Sequence, residues 1–266
     1  MGANIKALRN RIKSVDSTLH LTKAMGLVAS SKIRRATDNM NKARQYEQAF
    51  TNAMEALLSS PECKKSSLAI DRGGEKQALV VIAGDRGLAG GYNANVFRFM
   101  REYTGAKVIP IGKRACDRYG GGYRSAERFS LADGHELAKT LCKGFINGEY
   151  DRVGIVCTKY ISMITQEVQL KWILPLNVKE KNCSGVIFEP DESAVLDNAI
   201  TEYIAGCITA EVRESFASEI ASRRNAMDSA GKNAQQMIDE LALKYNRARQ
   251  GAITQELTEI VAGSGM

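Results

Sequence analysis

Histidine and proline are scarce in this chain of 266 residues, and the scarcity limits the chemistry that it can perform. Only two histidines occur, His20 and His135, and neither lies near a cysteine in the sequence. The six cysteines are far apart and form no C-x-x-C pair, so the ligand spacing typical of zinc sites is missing. We therefore expect no metal site and no cofactor, and we expect the cysteines to act as small buried apolar residues.

Long apolar runs are also missing, and none approaches the roughly 20 residues that a membrane-spanning helix needs. The basic stretch from Lys6 to Lys13 could belong to a transit peptide or to a helix lying on a membrane surface. The apolar pattern described below continues through it without a break, which favours a solvated helix face. We expect no direct insertion into a bilayer. We also expect no nucleic-acid binding, since the basic stretch has no interleaved aromatic residues.

Proline is excluded from both ends of the chain, because all four prolines lie between residues 61 and 190. Residues 1–60 carry a pattern that alternates by three and four, and thirteen of its sixteen positions are apolar. The spacing predicts one helix of about 55 residues, which would be about 80 Å long. The positions of this pattern, which form the first seam, are 5, 8, 12, 15, 19, 22, 26, 29, 33, 36, 40, 43, 47, 50, 54 and 57.

Residues 191–266 carry a matching seven-residue apolar pattern, which only Arg224 interrupts. The two ends differ in charge: residues 1–60 hold ten basic and four acidic side chains (+6), and residues 191–266 hold seven and twelve (−5). We predict an antiparallel coiled coil of the two ends, the alternative being two separate amphipathic helices on a globular core. The second seam consists of Ala217, Ile220, Met227, Gly231, Ala234, Ile238, Leu241, Tyr245, Ala248 and Ala252.

Residues 61–190 alternate between apolar strands and short amphipathic helices, which is typical of a Rossmann-like α/β domain. We expect a mostly parallel sheet with helices on both faces, and a half-exposed antiparallel strand at 166–172. The predicted domains are thus 1–60, 61–190 and 191–266. The other predicted strands are 78–83, 107–111, 124–129, 153–157 and 186–188, and the predicted helices are 93–103, 114–119 and 132–146.

The glycine-rich segment from Gly84 to Asn93 follows a predicted strand and precedes a helix, as phosphate-binding loops do. Its glycines do not match G-x-G-x-x-G, and it lacks the Gly-Lys-Ser/Thr of a nucleoside-triphosphate loop. Asp85 and Arg86 are better interpreted as turn and ion-pair residues. No nucleophile with a plausible base can be assembled elsewhere, so we do not expect an enzyme.

Several motifs in the same order resemble the γ subunit of F-type ATP synthases of the bacterial type. They are RIKSV at 11–15, LTKAMGLVASSK at 21–32, GDRGLAGGYN at 84–93, ESFASEIASR at 214–223 and YNRARQGAITQELTE at 245–259. The sequence departs from the family pattern at Ala89, Gly26 and Gly251, and the two glycines would loosen their helices locally.

The resemblance implies the central rotor shaft of the F1 sector, which couples ion flow through a membrane c-ring to cycling of the catalytic β sites. Its terminal helices would form a coiled coil inside the α3β3 hexamer, and its α/β domain would form part of the foot near the ε subunit and the c-ring. Nucleotide chemistry would belong to β, so the chain would not be catalytic by itself. The expected location is peripheral, at the cytoplasmic face of a bacterial plasma membrane.

The resemblance also implies contact residues. Met25 lies in the segment that faces the moving β lever, Arg249 and Gln250 match the pair that bonds a β loop, and Arg223 matches a contact of the lower shaft. Phe188 and Glu189 align with the foot loop near the c-ring and ε. The alternatives are surface polarity for the arginines and core packing for Phe188 and Met25. A different class of function stays open, a coiled-coil tether whose α/β domain binds a small ligand independently.

Overall fold

The computed structural model of the chain describes residues 2–58, 66–176 and 192–265. Helical segments from both ends accompany a central mixed sheet. In chain order the elements are α1 (Gly2–Leu57), β1 (Gln77–Ile82), α2 (Tyr92–Phe99) with a 3-10 turn at Met100–Glu102, β2 (Lys107–Ile111), α3 (Lys113–Tyr119), α4 (Leu131–Ile146), β3 (Arg152–Tyr160), β4 (Gln166–Leu174) and α5 (Glu192–Gly263).

The chain divides into two compact units. Unit 1 consists of Met1–Ser30 and Arg224–Met266, and unit 2 consists of Ser31–Arg223. Unit 2 therefore contains the sheet, the short helices, the second half of α1 and the first part of α5.

The sheet of unit 2 has the strand order β2-β1-β3-β4. Strand β1 is parallel to both β2 and β3, and β4 is antiparallel to β3, as the alternation at 166–172 predicts. The prediction of a strand at 124–129 is wrong, because this segment is irregular and only the preceding Tyr123 forms an isolated bridge, with Ile111. The strand predicted at 186–188 lies outside the described residues.

Strand β1 is buried on both faces, which explains its continuous run of apolar side chains. On one face Ala78, Val80 and Ile82 belong to a core that is completed by the end of α1, by α4 and by the first part of α5. On the other face Leu79 and Val81 pack against α2 and its 3-10 turn, as part of a smaller cluster. The alternation follows from the two-residue period of a strand.

Burial along α1 and α5 follows the predicted seams. None of the sixteen seam positions of α1 and none of the ten of α5 is classed as exposed, whereas Arg224, the predicted interruption, is exposed. In unit 1, a Cβ at Gly26 would lie 3.7 Å from Cβ of Met227, and one at Gly231 would lie 3.7 Å from Oγ1 of Thr22. Earlier residues of α1 thus face later residues of α5, so the two helices run in opposite directions within unit 1.

Two polar residues of the α1 seam have internal partners. Thr22 donates its hydroxyl to the carbonyl of Leu19 at 2.9 Å. In unit 2, Glu47 binds the ammonium of Lys171 on β4, which also binds Glu211 of α5 at 3.0 Å. Glu47, at an otherwise apolar position of the seam, therefore links α1 to the edge of the sheet.

Four cysteines fit the prediction of small buried residues, since Cys116, Cys142, Cys157 and Cys207 are buried and free. Burial raises the pKa of the Cys142 thiol to about 11 and that of the Cys207 thiol to about 12. Both thiols are consequently protonated at neutral pH. Cys63 and Cys183 lie outside the described residues.

Candidate functional site

The segment from Gly84 to Asn93 leaves the carboxyl end of β1 and turns into α2. The amide of Gly84 donates to the side-chain oxygen of Asn93 at 2.9 Å, and the Asn93 amide group donates to the carbonyl of Arg86 at 3.3 Å. Leu88 has a positive φ of 59° and an exposed side chain. The turn is thus closed by its own residues.

Asp85 fixes the neighbouring segment around residues 124–129. Its carboxylate accepts hydrogen bonds from the amide of Lys113 at 3.2 Å, from the hydroxyl of Ser125 at 2.8 Å, and from the amides of Ala126 at 2.9 Å and Glu127 at 3.1 Å. This single side chain replaces the strand pairing that 124–129 would otherwise need for its polar backbone groups. Asp85 is a turn residue, in agreement with the prediction.

Helix α5 presents a row of polar residues to the carboxyl end of the sheet. Ser215 accepts the amide of Thr158 at 3.0 Å, and Ser218 donates to the carbonyl of Thr158 at 3.0 Å. Glu214 accepts the amide of Tyr160 at 2.9 Å, and Ser222 donates to the carbonyl of Ala89 at 2.8 Å. The end of β3 and the glycine-rich turn are therefore bound by α5.

Arg223 completes this row and is only 8% exposed. Its guanidinium binds the carboxylate of Glu219 and donates to the carbonyl of Gly87 at 3.3 Å. Burial raises the pKa of the Glu219 carboxyl, and the neighbouring guanidinium opposes that rise. A Cβ at Gly84 would lie 2.8 Å from the Glu219 carboxyl carbon, so the turn approaches this pair closely.

These contacts concern the alternative function, a coiled-coil tether whose α/β domain binds a small ligand. Open α/β sheets bind ligands in the crevice outside the carboxyl ends of their strands. In unit 2 that position holds Ser215, Ser218 and Glu219 of α5, which are themselves buried. The position that a phosphate-containing ligand would take next to the glycine-rich turn is thus filled by the chain's own helix.

The end of α5 has a different character, because every described residue from Ile253 to Gly265 is exposed. Arg249 and Gln250 are exposed as well, and no described carboxylate forms an ion pair with Arg249. Apolar side chains follow them without cover, and Leu257 is 58% and Ile260 67% exposed. An exposed apolar helix end next to free polar groups is typical of a segment that another protein covers.

Met25 is half-buried on α1 in unit 1 and lies among exposed apolar neighbours. Leu21, Leu27 and Val28 are all exposed, and Leu21 and Val28 flank Met25 at helical spacing. The structure therefore places Met25 at the edge of an uncovered apolar strip. The structure does not bring the predicted contact residues into one cluster: Met25 and Arg249 with Gln250 belong to unit 1, and Arg223 is buried in unit 2.

Phe188 and Glu189, the predicted foot residues, lie outside the described residues. Within the described ranges, no group of three or more His, Cys, Asp or Glu side chains is arranged to hold a metal ion. No helix in those ranges combines the length and the apolar character needed to cross a membrane.

Comparison with known proteins assigns the chain to a family. A family model described as ATP synthase matches residues 4–265. The ATP synthase gamma chain of Ruminococcus albus is 39% identical, with 98% of both chains covered. The sodium ion specific ATP synthase gamma chain of Acetobacterium woodii is 35% identical, with 99% of both covered.

The chain belongs to the ATP synthase gamma-chain family. Solved structures share the fold of this chain. A chain in the Euglena gracilis mitochondrial ATP synthase, in a structure of OSCP, F1 and c-ring, matches with a TM-score of 0.72 at 20% identity, covering 99% of this chain and 94% of that one. A rotor structure of the same complex gives a TM-score of 0.67 at 19% identity, covering 95% and 100%.

Sequence reasoning missed the polar row that binds the sheet in this gamma chain. Glu214, Ser215, Ser218, Glu219 and Ser222 are separated by one or three to four residues, so they share one helix face. A row of polar residues at positions 214–222, where the neighbouring positions are mostly apolar, predicts a polar partner, and that signal was present in the sequence. The identity of the partner, the carboxyl end of the sheet, required the structure.

Proposed function

We propose that this chain is the central-stalk rotor subunit of an ATP synthase, and that it couples ion flow through a membrane c-ring to the cycling of catalytic β sites. The observation that carries the proposal is the near full-length match to bacterial ATP synthase gamma chains at 35–39% identity. The chain is not catalytic by itself in this role, since nucleotide chemistry takes place in the β subunits.

We propose that residues 1–60 and 191–266 pair as an antiparallel coiled coil, and that residues 61–190 form a Rossmann-like domain between them. Burial of the two seams supports the pairing. Further support comes from Arg44 of α1, which forms two hydrogen bonds with Glu214 of α5, at 3.1 and 2.6 Å. This contact joins the basic N-terminal segment to the acidic C-terminal segment, as the opposite charges of the two ends predict.

The uncovered end of α5 supports the assignment of the α3β3 hexamer as partner. The exposed apolar residues Ile253, Leu257, Ile260 and Val261 would be covered by the hexamer, while Arg249 and Gln250 would form charge-assisted hydrogen bonds with a β loop. Met25, with its exposed apolar neighbours, would contact the moving part of β. Arg223 would act at most through its position, because its guanidinium is bound to Glu219 and Gly87.

The foot of the rotor, with the ε subunit and the c-ring as partners, is assigned to the 61–190 domain, including Phe188 and Glu189. In this arrangement the protein is peripheral at the cytoplasmic face of a bacterial plasma membrane. Crosslinking from a cysteine placed at Glu189 tests the foot: ε or the c subunit should be captured in membranes, and capture of neither would contradict it.

Co-expression with α and β subunits of the same organism tests the rotor proposal. The chain should elute with both as one complex in size-exclusion chromatography, and the complex should hydrolyse ATP. A chain that ends at Ala252 is the matched comparison, because it lacks the exposed apolar end and should associate more weakly. A full-length chain that never associates with α and β would contradict the proposal.

A further inference from the structure

Unit 2 contains a cavity where α1, α5 and the segment around residues 124–129 meet. Its volume is about 380 Å³. Lys32 and Arg35 reach it from α1, Arg213 from α5 and Glu127 from the irregular segment. The lining thus has three cations and one carboxylate, together with the side-chain amide of Asn39. The proposed rotor function makes no use of this cavity.

The one carboxylate of the cavity is already engaged. Glu127 accepts a bond from the ammonium of Lys32 at 2.8 Å, and both side chains are about 40% exposed. Arg213 donates to two neutral carbonyls instead, that of Glu127 at 3.2 Å and that of Phe129 at 2.6 Å. Among the described residues, no carboxylate lies within ion-pair distance of Arg213 or Arg35. Within the part of the chain that the structure describes, these two guanidinium charges are therefore uncompensated.

Another arginine of the same unit, Arg44, has its charge compensated by a carboxylate. Arg44 binds the carboxylate of Glu214 through two hydrogen bonds, and this carboxylate raises the pKa of Arg44. Burial lowers the pKa of Arg213, with no carboxylate to oppose it. The charge of Arg213 is thus only partly solvated and has no ion-pair partner among the described residues. An anion next to it would offset the free-energy cost of this partial desolvation.

We propose that this cavity binds a phosphate-bearing anion between Arg35 and Arg213, with Lys32 and Asn39 as further donors. Two uncompensated guanidinium groups favour a divalent anion over a single carboxylate, and the planar donor pairs of arginine match phosphate oxygens. The volume accommodates a phosphate with part of its water shell, or a diphosphate. Because the donor side chains come from α1 and α5, a bound anion would link these two helices.

Calorimetric titration of the full-length chain tests the proposal, with inorganic phosphate, pyrophosphate and ADP as separate probes and chloride to keep the ionic strength constant. At least one probe should bind saturably with a Kd of about 1 mM or tighter. Tightest binding by phosphate or pyrophosphate identifies a free anion as the source, and tightest binding by ADP identifies a nucleotide. Absence of saturable binding by all three up to about 20 mM overturns the proposal.

Three variants locate the binding within the chain. Arg35→Gln should weaken binding about five-fold, because one exposed charge contact is lost. Arg34→Gln removes the same charge from an exposed neighbour that does not line the cavity, and it should change the Kd by less than about two-fold. Glu127→Gln should tighten binding, because it removes the competing carboxylate and releases Lys32.

The direction in which each variant changes the Kd distinguishes a specific anion site from a general effect of the net charge. Equal weakening by Arg35→Gln and Arg34→Gln would overturn the proposal, and so would weaker binding in Glu127→Gln. Far-ultraviolet circular dichroism on each variant checks that the helices are intact. Association with α and β is measured independently, so failure of the anion site leaves the proposed rotor function untouched, and the reverse also holds.

Discussion

At the scale of single residues, the buried pair of Glu219 and Arg223 holds the glycine-rich turn against α5. Both side chains are buried, so each neutralises a charge that the interior would otherwise disfavour. The pair is placed so that the loss of one partner leaves the other buried and unpaired, and this makes its contribution measurable.

Arg223→Ala is expected to lower the free energy of unfolding by about 3–5 kcal/mol, because the Glu219 carboxylate would stay buried without its partner. Denaturant unfolding of the purified chain measures this change. Arg224→Ala is the matched control, since Arg224 is the exposed neighbour, and it should change stability by about 0.5 kcal/mol or less. Equal effects of the two substitutions would refute the structural role of the buried pair.

The cost of Arg223→Ala should also depend on pH. Burial raises the pKa of the Glu219 carboxyl, and removal of the guanidinium removes the main opposing influence. The folded variant then binds a proton more strongly than the unfolded one, so its stability falls as the pH rises through the folded-state pKa. Unfolding experiments should therefore show that Arg223→Ala lowers the free energy of unfolding less near about pH 4.5 than near about pH 8. A cost that is the same at both pH values would contradict this.

At the scale of elements, the segment 124–129 shows how one side chain can replace regular pairing. Asp85→Ala would remove four hydrogen bonds to a carboxylate. The amide of the buried residue Ala126 would then lack its acceptor. We expect a loss of about 3 kcal/mol and faster hydrogen exchange at the amides of Ala126 and Glu127. In Asp228→Ala, where an exposed pair with Lys232 is lost, the change should be about 0.5 kcal/mol or less. Unchanged exchange at Ala126 would contradict the assignment.

The glycines of the two long helices are not all required by close packing. A Cβ at Gly26 or at Gly231 would make only ordinary contacts of 3.7 Å or more. Gly251 has no atom within 4 Å of such a Cβ. These positions therefore have room for alanine, and their glycines cost helix stability without a packing reason.

Gly251→Ala is expected to stabilise the end of α5 by about 0.5–1 kcal/mol, because alanine loses less backbone entropy in a helix. Slower amide exchange around residues 250–256 in the purified chain would report the change. Gly206→Ala on the same helix is the comparison, since its Cβ would lie 3.2 Å from a ring carbon of Tyr46. The gain there should be smaller or reversed. A larger gain at Gly206 than at Gly251 would contradict the contact argument.

At the scale of the whole molecule, the rotor proposal predicts that the exposed polar end of α5 acts only in the complex. Arg249→Ala combined with Gln250→Ala should reduce coupled ATP synthesis in membranes by at least about ten-fold, since each lost contact costs about 1–2 kcal/mol and about 1.4 kcal/mol corresponds to a factor of ten in rate. The unfolding free energy of the isolated chain should stay within about 0.5 kcal/mol. Lys244→Ala combined with Asn246→Ala changes exposed residues of the same helix and should leave synthesis near normal. Normal synthesis in the Arg249 and Gln250 variant would remove these residues from the contact.

The sequence by itself determined the helices at both ends, the positions that are buried along them, and the membership of the ATP synthase gamma-chain family. These follow from local rules: a helix repeats its faces at a fixed spacing, so burial on α1 and α5 can be read from neighbouring residues. The motifs that carry the family resemblance are likewise contiguous stretches of sequence, so they can be recognised without the structure.

Only the tertiary structure decided which distant residues meet. Arg44 with Glu214, Asp85 with Ala126, and the cavity lined by Lys32 and Arg213 each join segments far apart in the chain. No periodicity encodes such contacts, because they depend on how whole elements pack. The prediction of a strand at 124–129 was wrong for the same reason, because the amides of Ala126 and Glu127 bind the distant carboxylate of Asp85 and not a neighbouring strand.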